Sequence, residues 1–259
     1  MNTPRVLPAA AALVAALMVS SARAATVGLA PVADTTLQSA FPNLNYGGGV
    51  SMTAGGRRLG GVTRALMLFD IAGSVPAGAV ITSVTLDVTV VRAPIGVVPS
   101  IFDVNRLTAS WGEGTGQDEG GSPAGPNAAT WNNRFGASGS PWTTPGGDFS
   151  PTASSSSFIT GPGTFTFNST ASLAADVQSW LDNPAGNFGW VMLSESELIP
   201  TTIERFGSHE NKDTSPTLLI QYSVVPEPGF VVLLGLGLGV LAIRRRGRLS
   251  PIGHQKQRD

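Results

Sequence analysis

The sequence predicts an all-β protein, an antiparallel β-sandwich with one short helix, and three observations carry that reading. Apolar residues recur with period two, most cleanly over residues 83–90, where Val84, Leu86, Val88 and Val90 face one way and Thr85, Asp87 and Thr89 the other. Gly, Ser, Thr and Pro separate the apolar runs, as turns between short strands require. Long helical periodicity is missing between the runs, so the helices that parallel strands need as crossovers are not expected.

Each element follows from its own residues. The run 64–71, RALMLFDI, is apolar on both faces and reads as a strand enclosed between two layers. Residues 74–82 supply the turn into the alternating strand 83–90. Further strands are expected at 101–107, 164–168, 189–194 and 217–223. Residues 172–181 depart from the pattern: Leu173, Val177, Trp180 and Leu181 stand at helical spacing, and Asn183-Pro184 ends the run. This helix is expected to plug an open end of the core, with Trp180 as its anchor. Residues 110–163 form a long Gly/Ser/Pro-rich insert that holds Trp111, Trp131 and Trp142, three of the five tryptophans. A disordered segment is poor in aromatics, so the insert is expected to pack down around those rings. No internal repeat is visible.

The two ends have a different character. Arg5, the apolar run 7–20 and the small residues Ala22 and Ala24 form a secretory signal over residues 1–24, a helix to be removed by signal peptidase. At the other end, residues 229–243 carry no charge and reach only about 22 Å as a helix, against a bilayer core of roughly 30 Å. Arg244, Arg245, Arg246 and Arg248 follow, which places residues 249–259 in the cytoplasm as a short tail. The body between, residues 25–224, is then exported. It has no cysteine, so it must stand on its own core without disulfides. Eight Lys and Arg oppose fifteen Asp and Glu in the body, a net charge of −7 that argues against a nucleic-acid partner.

Val225-Pro226-Glu227-Pro228, the apolar run and the arginine cluster together resemble the PEP-CTERM sorting signal of Gram-negative bacteria, over residues 225–248. The resemblance implies a temporary tether in the inner membrane, recognised by exosortase through Pro226, Glu227, Pro228, Arg244, Arg245 and Arg246. The body would then pass to the cell surface or the extracellular polysaccharide. A plain single-span anchor is the alternative. In the body, the ordered series ADTTL, NYG, RALMLFD, VPAGAVITSVTLDV, NRLTASWGEG, ATWNN, PWTTPGGDF, VQSWLDNPAGNFGWVM and RFGSHE resembles the DNRLRE-type domain. That resemblance implies a jelly-roll-like β-sandwich of secreted and surface proteins, similar to some polysaccharide-binding modules, and carries no catalytic set.

Three kinds of chemistry are then open. Asp34, Asn45, Asp70, Asp148, Glu204 and Glu210 stand near strand ends with oxygen donors. A structural Ca2+ would be sought first at Asp34 with Glu204 and Glu210, and solvated loop acids are the plain alternative. Trp111, Trp131 and Trp142, with Tyr46, either stack on sugar rings or anchor the insert. Nearby Asn132, Asn133, Arg134 and Asp148 would serve the sugar hydroxyls. Residues 203–210, IERFGSHE, bring Glu204, Arg205, His209 and Glu210 into one stretch. As a strand it would set Arg205 and His209 on one face and the two glutamates on the other, which gathers no active site. No nucleophile elbow, phosphate loop or metal-hydrolase motif is present. The expectation is a non-catalytic protein that binds glycan or builds the exopolysaccharide matrix; a surface polysaccharide hydrolase or lyase is the alternative.

Overall fold

The computed structural model describes residues 23–117, 120–136 and 140–224. The signal segment up to residue 22, the sorting segment and the cytoplasmic tail lie outside the described residues. Residues 24–224 form one compact unit. In chain order its strands are β1 (Arg23–Leu29), β2 (Ala33–Gln38), β3 (Leu44–Asn45), β4 (Ser51–Gly56), β5 (Val62–Leu68), β6 (Val80–Arg92), β7 (Ser100–Leu107) and β8 (Ser122–Pro123). There follow β9 (Phe149–Ile159), β10 (Gly163–Phe167), the helix α1 (Ala171–Asp182), a 3-10 turn (Pro184–Gly186), β11 (Trp190–Ser194), β12 (Glu204–Gly207) and β13 (Thr217–Val224).

Eleven of these strands join one large, curled antiparallel sheet in the order β1-β13-β6-β12-β4-β5-β11-β7-β9, with β10 added to β6 and β2 to β5. β3 and β8 make a separate two-stranded ribbon. The long β6 is the spine of one half: it carries β10 on one edge, and β13 then β12 end to end along the other. The curl turns its corner at β4. Residues 51–54 of β4 pair with β12, whereas Gly55 and Gly56 pair with Thr63 and Val62 of β5. Gly55 has φ +115°, and a Cβ there would sit 2.5 Å from the Thr202 carbonyl oxygen, so the corner admits only glycine.

The alternation of residues 83–90 holds: Val84, Leu86, Val88 and Val90 are buried in the curl while Thr85, Asp87 and Thr89 are not. They meet Met52 and Ala54 from β4, Met67 from β5 and Phe102 and Val104 from β7 in one core. Phe102 of β7 meets Phe206 of β12 edge-on at 5.6 Å, so the two halves touch directly across it. The helix α1 starts where Thr170 Oγ1 accepts the Leu173 N–H at 3.0 Å. It buries Leu173, Val177, Trp180 and Leu181, and the Trp180 ring meets Trp190 with centroids 4.4 Å apart. The helix expected at 172–181 is therefore present. Among the described residues no helix is long and apolar enough to cross a membrane.

Two expectations need correction. The enclosed strand ends at Leu68, although Phe69 and Ile71 beyond it remain in the core. The insert, whose residues 110–163 are poor in strand signals, also holds a long strand: β9 lies inside it, eleven residues of FSPTASSSSFI that periodicity alone does not mark. Pro151 is tolerated there because β9 closes the sheet path as an edge strand, and its register with β7 shifts nearby.

Candidate functional site

Three distant segments converge on His209. β12 ends at Gly207, and Ser208 turns the chain outward by donating its Oγ–H to the Gly49 carbonyl at 2.7 Å. His209 therefore does not share a strand face with Arg205. Its backbone N–H donates to Asp34 Oδ2 at 2.7 Å, and its Nδ1 lies 3.2 Å from the same oxygen. Glu113 Oε1 is 3.4 Å from Nδ1 and also accepts the Asp34 backbone N–H at 2.8 Å. Glu210 Oε1 stands 3.4 Å from Nε2, on the far side of the ring. Asp34 is only 2% exposed. The hydrogen bond to Asp34 raises the His209 pKa to about 9; burial opposes the rise, and the charges of Asp34, Glu210 and Glu113 reinforce it. Burial pushes the Glu113 carboxyl up, against the Asp34 N–H that favours its ionised form.

Among the described residues, Asp34, His209 and Glu210 are the group whose donor atoms lie close enough, within 4.8 Å of one another, to share a metal ion. Asp34 and Glu210 thus come together as the sequence suggested, but Glu204 does not join them. It is 1% exposed, on the core side of β12 beside Phe206, and neither carboxylate oxygen has a hydrogen-bond partner. Burial alone raises its pKa to about 7. The other acids and amides noted in the sequence serve turns and loops. Asp70 Oδ1 accepts the Gly73 N–H, and the two oxygens of Asp148 accept Thr143 and Thr144 N–H, each at 2.9 Å.

Asn45 is the clamp of the insert. Its Nδ2 donates to the Glu113 carbonyl at 2.6 Å and the Ala129 carbonyl at 2.9 Å, while Oδ1 accepts from Gly47 and Gly116 N–H. The fit is close: a Cβ on Gly116 would fall 1.8 Å from the Asn45 carbonyl oxygen. The insert tryptophans pack on the outer side of the sheet, around Leu37, Leu66, Leu107 and Val191. Trp142 is 3% exposed and donates Nε1–H to Thr130 O; Trp111 donates to Phe188 O, both at 2.9 Å. Trp131 has the Arg64 guanidinium over its ring at 5.2 Å, and the same guanidinium lies over Phe149. Arg64 is further held by both oxygens of Glu197, at 2.6 and 3.0 Å. These contacts give all three rings an anchoring role.

A concave surface lies elsewhere, at the corner of the curl. Along β4 the side chains alternate: Met52 and Ala54 enter the core, while Ser51 and Thr53 look outward into a cleft of about 520 Å³. Arg205, the cross-strand neighbour of Thr53, faces the same way. The β4–β5 hairpin adds Arg57 and Arg58 at the rim, and Phe41 and Tyr46 close the walls. The Arg57 guanidinium stands over the Phe41 ring at 5.3 Å and donates to the Gln38 side chain. Tyr46 is 5% exposed; burial raises its phenol pKa, an effect that the Arg57 charge partly offsets. Among the described residues Arg58 makes no hydrogen bond or ion pair, and Leu59 beside it is almost wholly exposed. Three of the eight cations of an acidic body therefore meet at one cleft. Sequence reasoning missed the pair Arg57-Arg58, although its signal was present: Arg57-Arg58-Leu59 between Gly55-Gly56 and Gly60-Gly61 marks a hairpin tip. No family model matches this chain, and no curated protein is similar to it.

Proposed function

We propose that this protein is an exported, non-catalytic glycan-binding component of the cell surface or exopolysaccharide matrix, and that the corner cleft is where it meets an acidic glycan. The cleft carries the reading. Guanidinium groups hydrogen-bond carboxylates in a planar fork, aromatic walls offer apolar area to sugar rings, and Ser51, Thr53 and Gln38 match hydroxyls. A body of net charge −7 repels polyanions in bulk, so a local group of three arginines is the part that would hold one. In this reading the curled sheet is a jelly-roll-like sandwich of the DNRLRE type. The proline–glutamate–proline segment and the arginines behind the apolar run are an address read by exosortase, and the inner membrane is a temporary station.

The experiment is retention of the purified protein on the producing organism's own extracellular polysaccharide and on neutral and uronate-bearing glycans. Retention on acidic glycans that weakens with salt and falls at least tenfold in the Arg57→Ala/Arg58→Ala double variant supports the reading. Equal retention of the double variant, or retention lost only in Trp131→Ala, would move the site to the insert. Release of reducing ends or unsaturated sugars would end the non-catalytic reading.

A further inference from the structure

We infer that three loop tips at one end of the sheet, carrying Leu59, Ile95, Leu198 and Ile199, dock this protein on an anionic lipid surface, with Arg57 and Arg58 meeting the headgroups. The inference goes beyond the glycan reading, although it shares those two arginines with the cleft.

The tips are apolar residues left in water, and the fold brings them together. Ile95 is 99% exposed, Leu59 97% and Leu198 84%, with Ile199 half-exposed beside it. They stand on three loops: 57–61 between β4 and β5, 93–99 between β6 and β7, and 195–203 between β11 and β12. Those loops are bonded to one another. Val98 N–H donates to the Thr201 carbonyl at 3.0 Å and Ile203 N–H to the Gly56 carbonyl at 3.1 Å, while Gly56 N–H donates to Thr202 Oγ1 at 2.8 Å. Single exposed apolar residues are ordinary on a surface; a group of them on linked loops marks a place of contact. Charge selects what is contacted. Arg57 and Arg58 sit in the first tip, and Arg92 closes β6 opposite Arg205 of β12. These are four of the eight basic residues of a body whose net charge is −7. The acids of the same loops are Glu195 and Glu197, and Glu197 is held by Arg64. A second copy would set like charges face to face, whereas anionic headgroups complement them. Bulky aliphatic side chains beside guanidinium groups suit a boundary where apolar matter lies just beneath charge. The described chain continues from Val224, whose neighbour Ser223 pairs with Val80 at the start of β6. That point is thirteen residues of strand, about 40 Å, from Arg92 at the other end of β6, so the tips are free to meet a surface outside the chain.

The test floats the compact unit, residues 24–224, which closes its own core, with vesicles of phosphatidylcholine alone or with phosphatidylglycerol added. Binding is expected on the anionic vesicles only, weakened by salt and reduced at least tenfold in Ile95→Ser/Leu198→Ser. Both replaced side chains are exposed and neither lines the cleft, so that variant should keep the wild-type unfolding midpoint and glycan retention. The chain has no cysteine, so Leu198→Cys takes one environment-sensitive fluorophore. Its emission should move to the blue on anionic vesicles, while a label on Thr82→Cys, near the start of β6, should not change. Absence of binding to anionic vesicles, equal binding of the double variant, or equal shifts at the two labels would overturn the inference. A dimer formed without lipid and broken by Ile95→Ser/Leu198→Ser would give the tips to a second copy and overturn it too. Vesicle binding without glycan retention refutes the cleft reading alone, and glycan retention without vesicle binding refutes this one alone.

Discussion

The inside of the curl and the layer on its outside are built by different means. Inside, strands from both halves and the helix α1 meet through apolar side chains, and Trp180, Trp190, Phe102 and Phe206 interlock edge to face. Outside, the insert is fixed by a small apolar cluster, by Asn45, Asp148 and Arg64, which each make several polar contacts, and by the single indole N–H bonds of Trp111 and Trp142. Apolar burial is non-directional and tolerates substitution by residues of similar size. A clamp such as Asn45 depends on one side chain having the right atoms in the right places. The core is thus robust in chemistry and sensitive to volume, and the insert is the reverse.

Four substitutions sharpen that contrast, in falling order of effect. Trp180→Ala removes the anchor between α1 and Trp190 and should cost about 3–5 kcal/mol in denaturant unfolding, lowering stability of the whole unit. Asn45→Ala should cost about 2 kcal/mol, and its mark is local. Proteolysis should accelerate within residues 110–148, while Asn45→Ser, which keeps one acceptor, recovers part of the loss. An insert as resistant in Asn45→Ala as in the wild type would break the comparison.

The third concerns the buried acid. Burial raises the folded pKa of Glu204 from the usual 4.5 to about 7, so the native state keeps a proton that the unfolded chain releases. The stability linked to it is complete below pH 4.5 and is lost as pH rises through 7. Glu204→Gln should therefore leave stability nearly unchanged at pH 4 and raise it clearly at pH 8, read from unfolding midpoints at both values. A gain equal at the two pH values would assign the effect to packing. The smallest effect belongs to the exposed rim: Arg58→Ala should shift stability by less than about 0.5 kcal/mol while weakening glycan retention.

The same contrast explains what the sequence made legible. Period two over residues 83–90 and helical spacing at Leu173, Val177, Trp180 and Leu181 reflect burial along one element, and both reappear in the structure. β9 was hidden because serines make up five of its eleven residues and its place comes from pairing with β7, a tertiary cause. His209 was visible as the lone histidine of the body, and Asp34 and Glu210 as acids near strand ends. Glu113 was not, because its role depends on Asn45 pinning its carbonyl from 68 positions away. Its flanking glycines, Gly112 and Gly114, were the one local hint that another chain passes close. The insert tryptophans could be read as ligands or anchors from sequence; the anchoring contacts, the indole hydrogen bonds of Trp111 and Trp142 and the Arg64 guanidinium over Trp131, come from tertiary structure.

The corner at Gly55 has a consequence for how the molecule opens. Because β4 pairs with β12 on one side of the bend and with β5 on the other, no plane divides the strands into leaves that separate without breaking backbone bonds. Amides of β6 and β11, in opposite halves, should then exchange with solvent deuterium through one common opening rather than in two independent steps.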